Sequence, residues 1–266
     1  MNKEELCASI DAVASAGGQK WVFECKALIR DFYSSPGCKN MINGFAEDAK
    51  ARRLQANEYW RFYELSAIAV PGWTLVFSLF HRNVDQIYSF PFYALMLITG
   101  PGPLHYTRHA LPKDGLEVGS FLGKGEELIA HPGEIVEIHG DQFAYDFRVQ
   151  ERVAAIKFAG NFFKPIHMMF DRESLRAVQW IVADPILSQL ISVLNATGEM
   201  KDPSARDFIE PFVAHECHFV RWEAIRSLCR VNGEAGWTAI QKARMDPHPH
   251  IRAAAGQTIA KYEKVS

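Results

Sequence analysis

Between about residues 58 and 180, runs of aromatic and β-branched residues recur at short intervals with no helical stretch between them. Turn signals separate the runs: Pro71-Gly72, Gly100-Pro101-Gly102, Lys113-Asp114-Gly115 and His139-Gly140-Asp141. This pattern constrains the fold more than any other feature. Strands that follow one another without crossover helices pair antiparallel. Eight or nine are expected, drawn from 59–68, 73–81, 87–99, 104–111, 116–122, 134–139, 143–149, 153–158 and 167–178. The clearest alternation puts Phe143, Tyr145, Phe147 and Val149 inward, with Gln142, Asp146 and Arg148 outward. An antiparallel β-barrel or jelly roll fits this zone, and an α/β fold does not.

Helical patterns flank the strands. Leu6, Ile10 and Val13 predict a first helix, and Lys20 to Tyr33 a second with Trp21, Phe23, Leu28, Ile29 and Phe32 on its apolar face. Met41 to Leu54 predicts a third. Beyond the strands, Asp184-Pro185 opens a helix through Leu187, Leu190, Ile191 and Leu194 that Ala196-Thr197-Gly198 is expected to stop. An internal repeat follows. Residues 215–228 laid over 246–259 put Val220 on Ile251, Arg221 on Arg252, Ala224 on Ala255 and Leu228 on Ile259, always 31 positions apart. Helix-like stretches at 205–214 and 235–244 precede the copies, so each is a two-helix unit. The expected class is α+β, with segments 1–57, 58–182 and 183–266.

Charge narrows the function classes. Lys and Arg number 29 against 31 Asp and Glu, and no basic block stands out. A chain that binds nucleic acid by neutralising phosphates needs such a block, so no nucleic-acid partner is expected. The longest apolar stretch, Ser66 to Phe80, is interrupted by Pro71-Gly72 and is too short for a membrane span. The polar opening Met-Asn-Lys-Glu-Glu-Leu suits no signal peptide. Five scattered cysteines, Cys7, Cys25, Cys38, Cys217 and Cys229, form no CxxC pair. A cytoplasmic protein without a disulfide framework is the expectation.

Two families are similar in part. Asp246-Pro-His-Pro-His-Ile-Arg-Ala-Ala-Ala resembles the inter-helix turn and second helix of a HEAT-type repeat. The earlier copy keeps the hydrophobic-Arg pair and the Ala, but carries His215 in place of the Asp. The resemblance implies a helical stack that presents an interaction surface. The middle zone resembles the cupin barrel. Gly125 through Pro132-Gly133-Glu134-Ile135-Val136-Glu137-Ile138-His139 is similar to the second cupin motif, and Ile87 to Gly100 occupies the place of the first. Where that family's first motif carries two histidines this chain has Tyr88 and Phe90, and Val136 stands where the second carries a histidine. The resemblance thus implies a cupin-like barrel whose metal cage is replaced by apolar and aromatic side chains.

The remaining chemistry is sparse. His105, Thr107 and His109 share one face of a predicted strand, and with Glu137 and His139 they offer ligands for Fe, Mn or Zn. Positions four apart on a strand lie about 13 Å apart, however, which is too far for one ion without a bulge. Carboxylates at Glu126, Glu127, Glu134 and Glu137 are general-base candidates, although exposed strand-end charges have the same appearance. The aromatic set Trp60, Phe62, Tyr88, Phe90, Phe92, Tyr93, Phe143, Tyr145 and Phe147 serves either a pocket or an ordinary core. His215, Cys217 and His218 in one repeat turn, and His248 and His250 in the next, are five ligands that stacking brings near one another. Their H-x-C-H spacing matches no standard site. Arg221 and Arg252 at matched helix starts are expected to bond turn carbonyls or an acid of the neighbouring repeat. There is no Gly-x-Ser-x-Gly elbow, phosphate loop or dinucleotide fingerprint, and no catalytic residue is assigned.

The expected function is a metal-independent, cupin-like module that binds a small molecule or a protein partner. Its pocket draws on Tyr88, Phe90, Phe92, His105, His109, Glu137 and Tyr145. The alternative is a mononuclear metal-dependent oxygenase, isomerase or lyase that uses His105, His109, Glu137 and His139 with Fe, Mn or Zn. Pairing through sheet faces or edges makes a homodimer a further expectation.

Overall fold

The computed structural model describes residues 1–50, 62–81, 86–113 and 115–263. It divides into two units, Met1–Ile181 and Val182–Ser266. Among the described residues no helix is long and apolar enough to cross a membrane.

In the first unit, helices α1 (Lys3–Ala16), α2 (Lys26–Tyr33) and α3 (Pro36–Lys50) precede eleven strands among the described residues. These are β1 (Phe62–Val70), β2 (Trp73–Phe80), β3 (Gln86–Ser89), β4 (Tyr93–Pro101), β5 (Leu104–Ala110) and β6 (Gly125–Ala130). The series continues with β7 (Ile135–His139), β8 (Phe143–Arg148), β9 (Val153–Gly160), β10 (Ile166–Asp171) and β11 (Ala177–Val182). They form a five-stranded sheet in the order β1-β2-β9-β4-β7 and a six-stranded sheet in the order β11-β10-β3-β8-β5-β6. The pairing is antiparallel.

The strand count departs from the sequence expectation at identifiable places. The run 87–99 breaks at Phe90–Phe92 into β3 and β4, and 167–178 folds back as β10 and β11. Residues 116–122 form no strand and contribute only the bridge between Phe121 and Arg176. Instead β6 supplies the edge next to β5, with Glu126 and Glu127 exposed on it. Charged side chains on an edge strand discourage pairing with another chain. The second predicted helix is a 3-10 turn over Trp21–Cys25 that leads into α2. The third helix starts earlier than expected, at Pro36, and its predicted end at 51–54 lies outside the described residues, as do Tyr59 and Trp60.

Period-two alternation sorts the strand residues into three layers. Ala94, Met96 and Ile98 of β4, with Val136 and Ile138 of β7, meet Leu104, Tyr145 and Val149 between the sheets. On the other face of the five-stranded sheet, Tyr93, Leu95, Leu97, Trp73, Leu75 and Phe158 pack under Leu6, Ile10, Val22, Ile29 and Phe32 of the helices. The Trp73 indole N–H donates to Asp11 of α1 at 3.0 Å, which pins that helix to β2. Outside the six-stranded sheet, Ile87, Ala144, Met168 and Phe170 form a third cluster with Leu122 and Ala177. Asp146, expected to face solvent, shares this side and is 2% exposed, paired with Arg148 and Arg172. A buried carboxylate needs such partners.

The second unit holds α4 (Pro185–Met200), α5 (Arg206–Ile209), α6 (His218–Val231), α7 (Gly233–Ala243) and α8 (Pro249–Glu263). Asp184 caps α4 by accepting from the Ile186 amide at 2.8 Å. The helix does not stop at Ala196-Thr197-Gly198. It runs to Met200 and ends at Lys201, whose φ is +54°. Gly198 instead marks a close approach: a Cβ there would lie 2.8 Å from Ser227 on α6. Val220, Ala224, Leu228 and Val231 of α6 bury against Leu194 and Ile209, and Ile251 and Ala255 of α8 against Ile225 and Ile240. The sequence repeat is also a repeat of bonding. Arg221 Nη1 donates to the carbonyls of His215 and Glu216 at 2.7 and 2.9 Å. Arg252 Nη1 donates to those of Asp246 and Pro247 at 2.7 and 2.9 Å.

Candidate functional site

The space between the two sheets is lined by rings. Tyr145 on β8 is 3% exposed, and its hydroxyl accepts the His139 amide at 2.8 Å and donates to the Glu137 carbonyl at 3.2 Å. These bonds tie the six-stranded sheet to the end of β7. Burial pushes the Tyr145 phenol up to about 12, so it stays a neutral donor at any physiological pH. Around it stand half-buried rings. Tyr145 stacks on Phe147 at 5.9 Å, with Phe90 at 5.9 Å, Phe143 at 6.4 Å and Tyr106 at 6.5 Å. Phe92 contacts Phe90 at 5.4 Å, and Tyr88 lies directly across the ladder from Tyr145. The loop bearing Phe90 and Phe92 crosses Gly140 so closely that a Cβ there would lie 2.0 Å from the Phe90 carbonyl oxygen. A side chain at that position would displace the loop.

Four of the seven expected pocket residues, Tyr88, Phe90, Phe92 and Tyr145, therefore gather on one side of the inner space. The other three do not join them. Leu104 and Tyr106 face inward on β5, so His105 and His109 lie on the outer face of the six-stranded sheet. His109 Nδ1 is 3.1 Å from the Gly123 carbonyl. His105 lines a surface groove of about 560 Å³ with Thr107, Glu127, Ile129 and Arg148.

Glu137 and His139 point the other way, beneath the helices. His139 Nε2 lies 3.0 Å from Glu137, its ring packs on Phe23 at 4.3 Å, and Glu137 also pairs with Lys26 of α2. Burial raises the Glu137 carboxyl, but the hydrogen bonds from Lys26 and His139 outweigh it and leave the group below its ordinary value. Lys20 holds Asp141 in the same way at 2.9 Å. The pairing of Lys20 with Asp141, Lys26 with Glu137 and Phe23 with His139 has no linear signal, because each pair joins elements more than a hundred residues apart.

The alternative metal set is thus divided between the outer faces of two different sheets. Regular registers on β5 and β7 leave no bulge to turn either pair inward. These four side chains do not fit one ion. The other carboxylate candidates have local roles: Glu126 pairs with Arg108 at 2.6 Å, and Glu134 accepts the His131 amide at 2.7 Å.

In the second unit, the five turn ligands separate into two groups. His215 Nδ1 accepts the Cys217 amide at 3.0 Å, and Cys217 is buried in the helical core. His218, His248 and His250 come together, with one ring nitrogen of each within 4.8 Å of the others.

No protein-family model matches the chain, and no curated protein matches it. Solved structures share a slight likeness. Hydroquinone 1,2-dioxygenase from Sphingomonas sp. TTNP3 is 12% identical over 40% of this chain and 70% of its own, with a TM-score of 0.31. The DMSP lyase DddQ from Ruegeria pomeroyi DSS-3 is 13% identical over 46% of this chain and 57% of its own, with a TM-score of 0.30. A sugar phosphate isomerase from a cupin superfamily, from Silicibacter pomeroyi DSS-3, is 10% identical over 47% of this chain and 78% of its own, with a TM-score of 0.29. Likeness at this level bears on neither activity nor ligand.

Proposed function

We propose that the sheet unit is a cupin-like binding module that holds a small molecule with a planar apolar face, without a metal ion. The observation that carries this reading is the set of half-buried rings, Phe90, Phe92, Tyr106, Phe143 and Phe147, around the buried Tyr145. A half-buried aromatic surface with one fixed hydroxyl nearby suits offset stacking on a flat ligand. The division of His105 and His109 from Glu137 and His139 supports binding without metal, since these four donors lie outside the space between the sheets. The helical unit is read as a HEAT-like surface for a protein partner. The Arg-to-carbonyl bonds repeated at Arg221 and Arg252 support that.

The test is a fluorescence titration of the full chain with 1-anilinonaphthalene-8-sulfonate in the presence of chelator. The expected result is saturable binding that Phe147→Ala or Phe90→Ala weakens at least tenfold while His105→Ala leaves it unchanged. Binding unaffected by both phenylalanine variants would refute the proposal.

A further inference from the structure

The turns that lead into α6 and α8 are fastened to each other by one ion pair. Arg221 on α6 grips Asp246 with two parallel bonds, Nη2 to Oδ1 at 2.7 Å and Nε to Oδ2 at 2.9 Å. Asp246 Oδ1 also accepts the His248 amide at 2.8 Å, so the same carboxylate sets the path of the second turn. His218 begins α6, one helical turn before Arg221, and this clamp fixes it against the second turn. The His218 and His248 rings stack at 3.5 Å and 7° from parallel, with His250 5.0 Å from His248 and 6.1 Å from His218.

Three details of this cluster point to a ligand. His248 Nδ1 accepts the His250 amide at 3.3 Å, which leaves its Nε2 as the outward lone pair. His218 Nε2 is buried and has no hydrogen-bond partner among the described residues. A buried nitrogen in that state is an anomaly that a bound group resolves. The three rings also each offer one nitrogen within 4.8 Å of the others.

We propose that His218, His248 and His250 form a binding site for a divalent late first-row transition metal, with zinc as the reference ion and a further coordination position open to water or an outside ligand. Three imidazole nitrogens on a tetrahedral zinc at about 2.0–2.1 Å lie about 3.4 Å apart. The present spacing, up to 4.8 Å, closes by rotation of the half-exposed His248 and His250 rings. Neutral imidazole is the form a metal requires. Asp246, locked by Arg221, acts as a positioning residue that orients the second turn toward the ion. The ion ties the start of α6 to the start of α8. It lies in the helical unit and does not depend on the aromatic site between the sheets.

The test uses the full chain, stripped with chelator and titrated with Zn2+ against a chromophoric competitor at pH 7.5. One equivalent is expected to bind with a micromolar or tighter dissociation constant and to raise the unfolding temperature of the helical unit. His248→Ala and His250→Gln should each weaken binding at least tenfold, whereas His215→Ala should not. Circular dichroism checks that each variant is folded, and the half-exposed His250 substitution serves if His248→Ala is not. Co2+ in place of Zn2+ should give a visible spectrum that is lost in the same variants. No binding by the intact chain, or binding by both histidine variants as tight as by the intact chain, overturns the proposal. Zinc held by Cys217→Ser less tightly than by the histidine variants overturns it as well.

Discussion

Removal of Asp246 tests how the repeat is held together. In Asp246→Ala, Arg221 loses bonds of 2.7 and 2.9 Å, and the His248 amide loses its 2.8 Å acceptor. Both partners are nearly buried, with side chains 10% and 9% exposed. Breaking such a pair from one side typically costs 3–5 kcal/mol. Arg221 keeps its bonds to the His215 and Glu216 carbonyls, so the guanidinium is not stranded. The loss should therefore fall at the low end, about 3 kcal/mol. Asp246→Asn preserves shape and one acceptor and should cost about 1.5 kcal/mol. A double-mutant cycle with Arg221→Met should return a coupling of at least about 1.5 kcal/mol, because the two groups are in direct contact. The assay is urea unfolding followed by hydrogen exchange of amides in 218–231 and 249–263, which reads the helical unit without signal from the sheets. A loss below about 1 kcal/mol for Asp246→Ala, or a coupling within about 0.5 kcal/mol of zero, would refute the clamp.

Three further outcomes follow from the first unit. Tyr145→Phe leaves the His139 amide without an acceptor and should lower stability by about 1–2 kcal/mol, measured by chemical denaturation. Gly140→Ala forces the Phe90–Phe92 loop away and should cost at least about 2 kcal/mol; a melting temperature equal to wild type would show that the close approach is absent. Burial raises Glu137 and Asp141, but the lysine bonds prevail and their folded values are lowered. Their stabilising effect is accordingly full above the ordinary carboxylate range near pH 4 and lost as pH falls through the depressed values. Hydrogen exchange over residues 3–33 should rise in that acid window. Glu137→Gln should abolish part of the rise, and only modestly, because pairs this exposed are worth under about 1 kcal/mol each.

What could be read from the sequence depended on whether a decision was local. Turn signals at Pro71-Gly72 and Gly100-Pro101-Gly102 set the ends of β1, β2, β4 and β5. The break at Phe90–Phe92 has a local signal in Pro91, which cannot donate to a ladder, but the aromatic run on both sides masks it, and the crossing at Gly140 sets the bend. Strand β6 was hidden for the opposite reason: its two glutamates look like a loop until β5 is known to pair with it. Period two correctly placed His105 and His109 on one face. Which face is inward depends on whether Leu104 or His105 meets the other sheet, and that is a tertiary fact. The match of Arg221 to Arg252 was legible as a 31-residue offset, whereas the approach of His218 to His248 goes with the Arg221–Asp246 pair, which that offset does not predict. His215 and Cys217 looked equally suitable as ligands in the sequence. Their exclusion rests on one hydrogen bond and one buried thiol.

Whether the sheet unit binds its ligand without a metal is decided by the affinity of the full chain for 1-anilinonaphthalene-8-sulfonate, measured in a His248→Ala background so that metal at the helical unit is held more weakly. Chelator-treated protein is compared with the same protein supplied with Fe2+, Mn2+ or Zn2+. One affinity is expected in all four states, with a tenfold loss in Phe147→Ala. Binding that appears only with a metal and disappears in His139→Ala would contradict it.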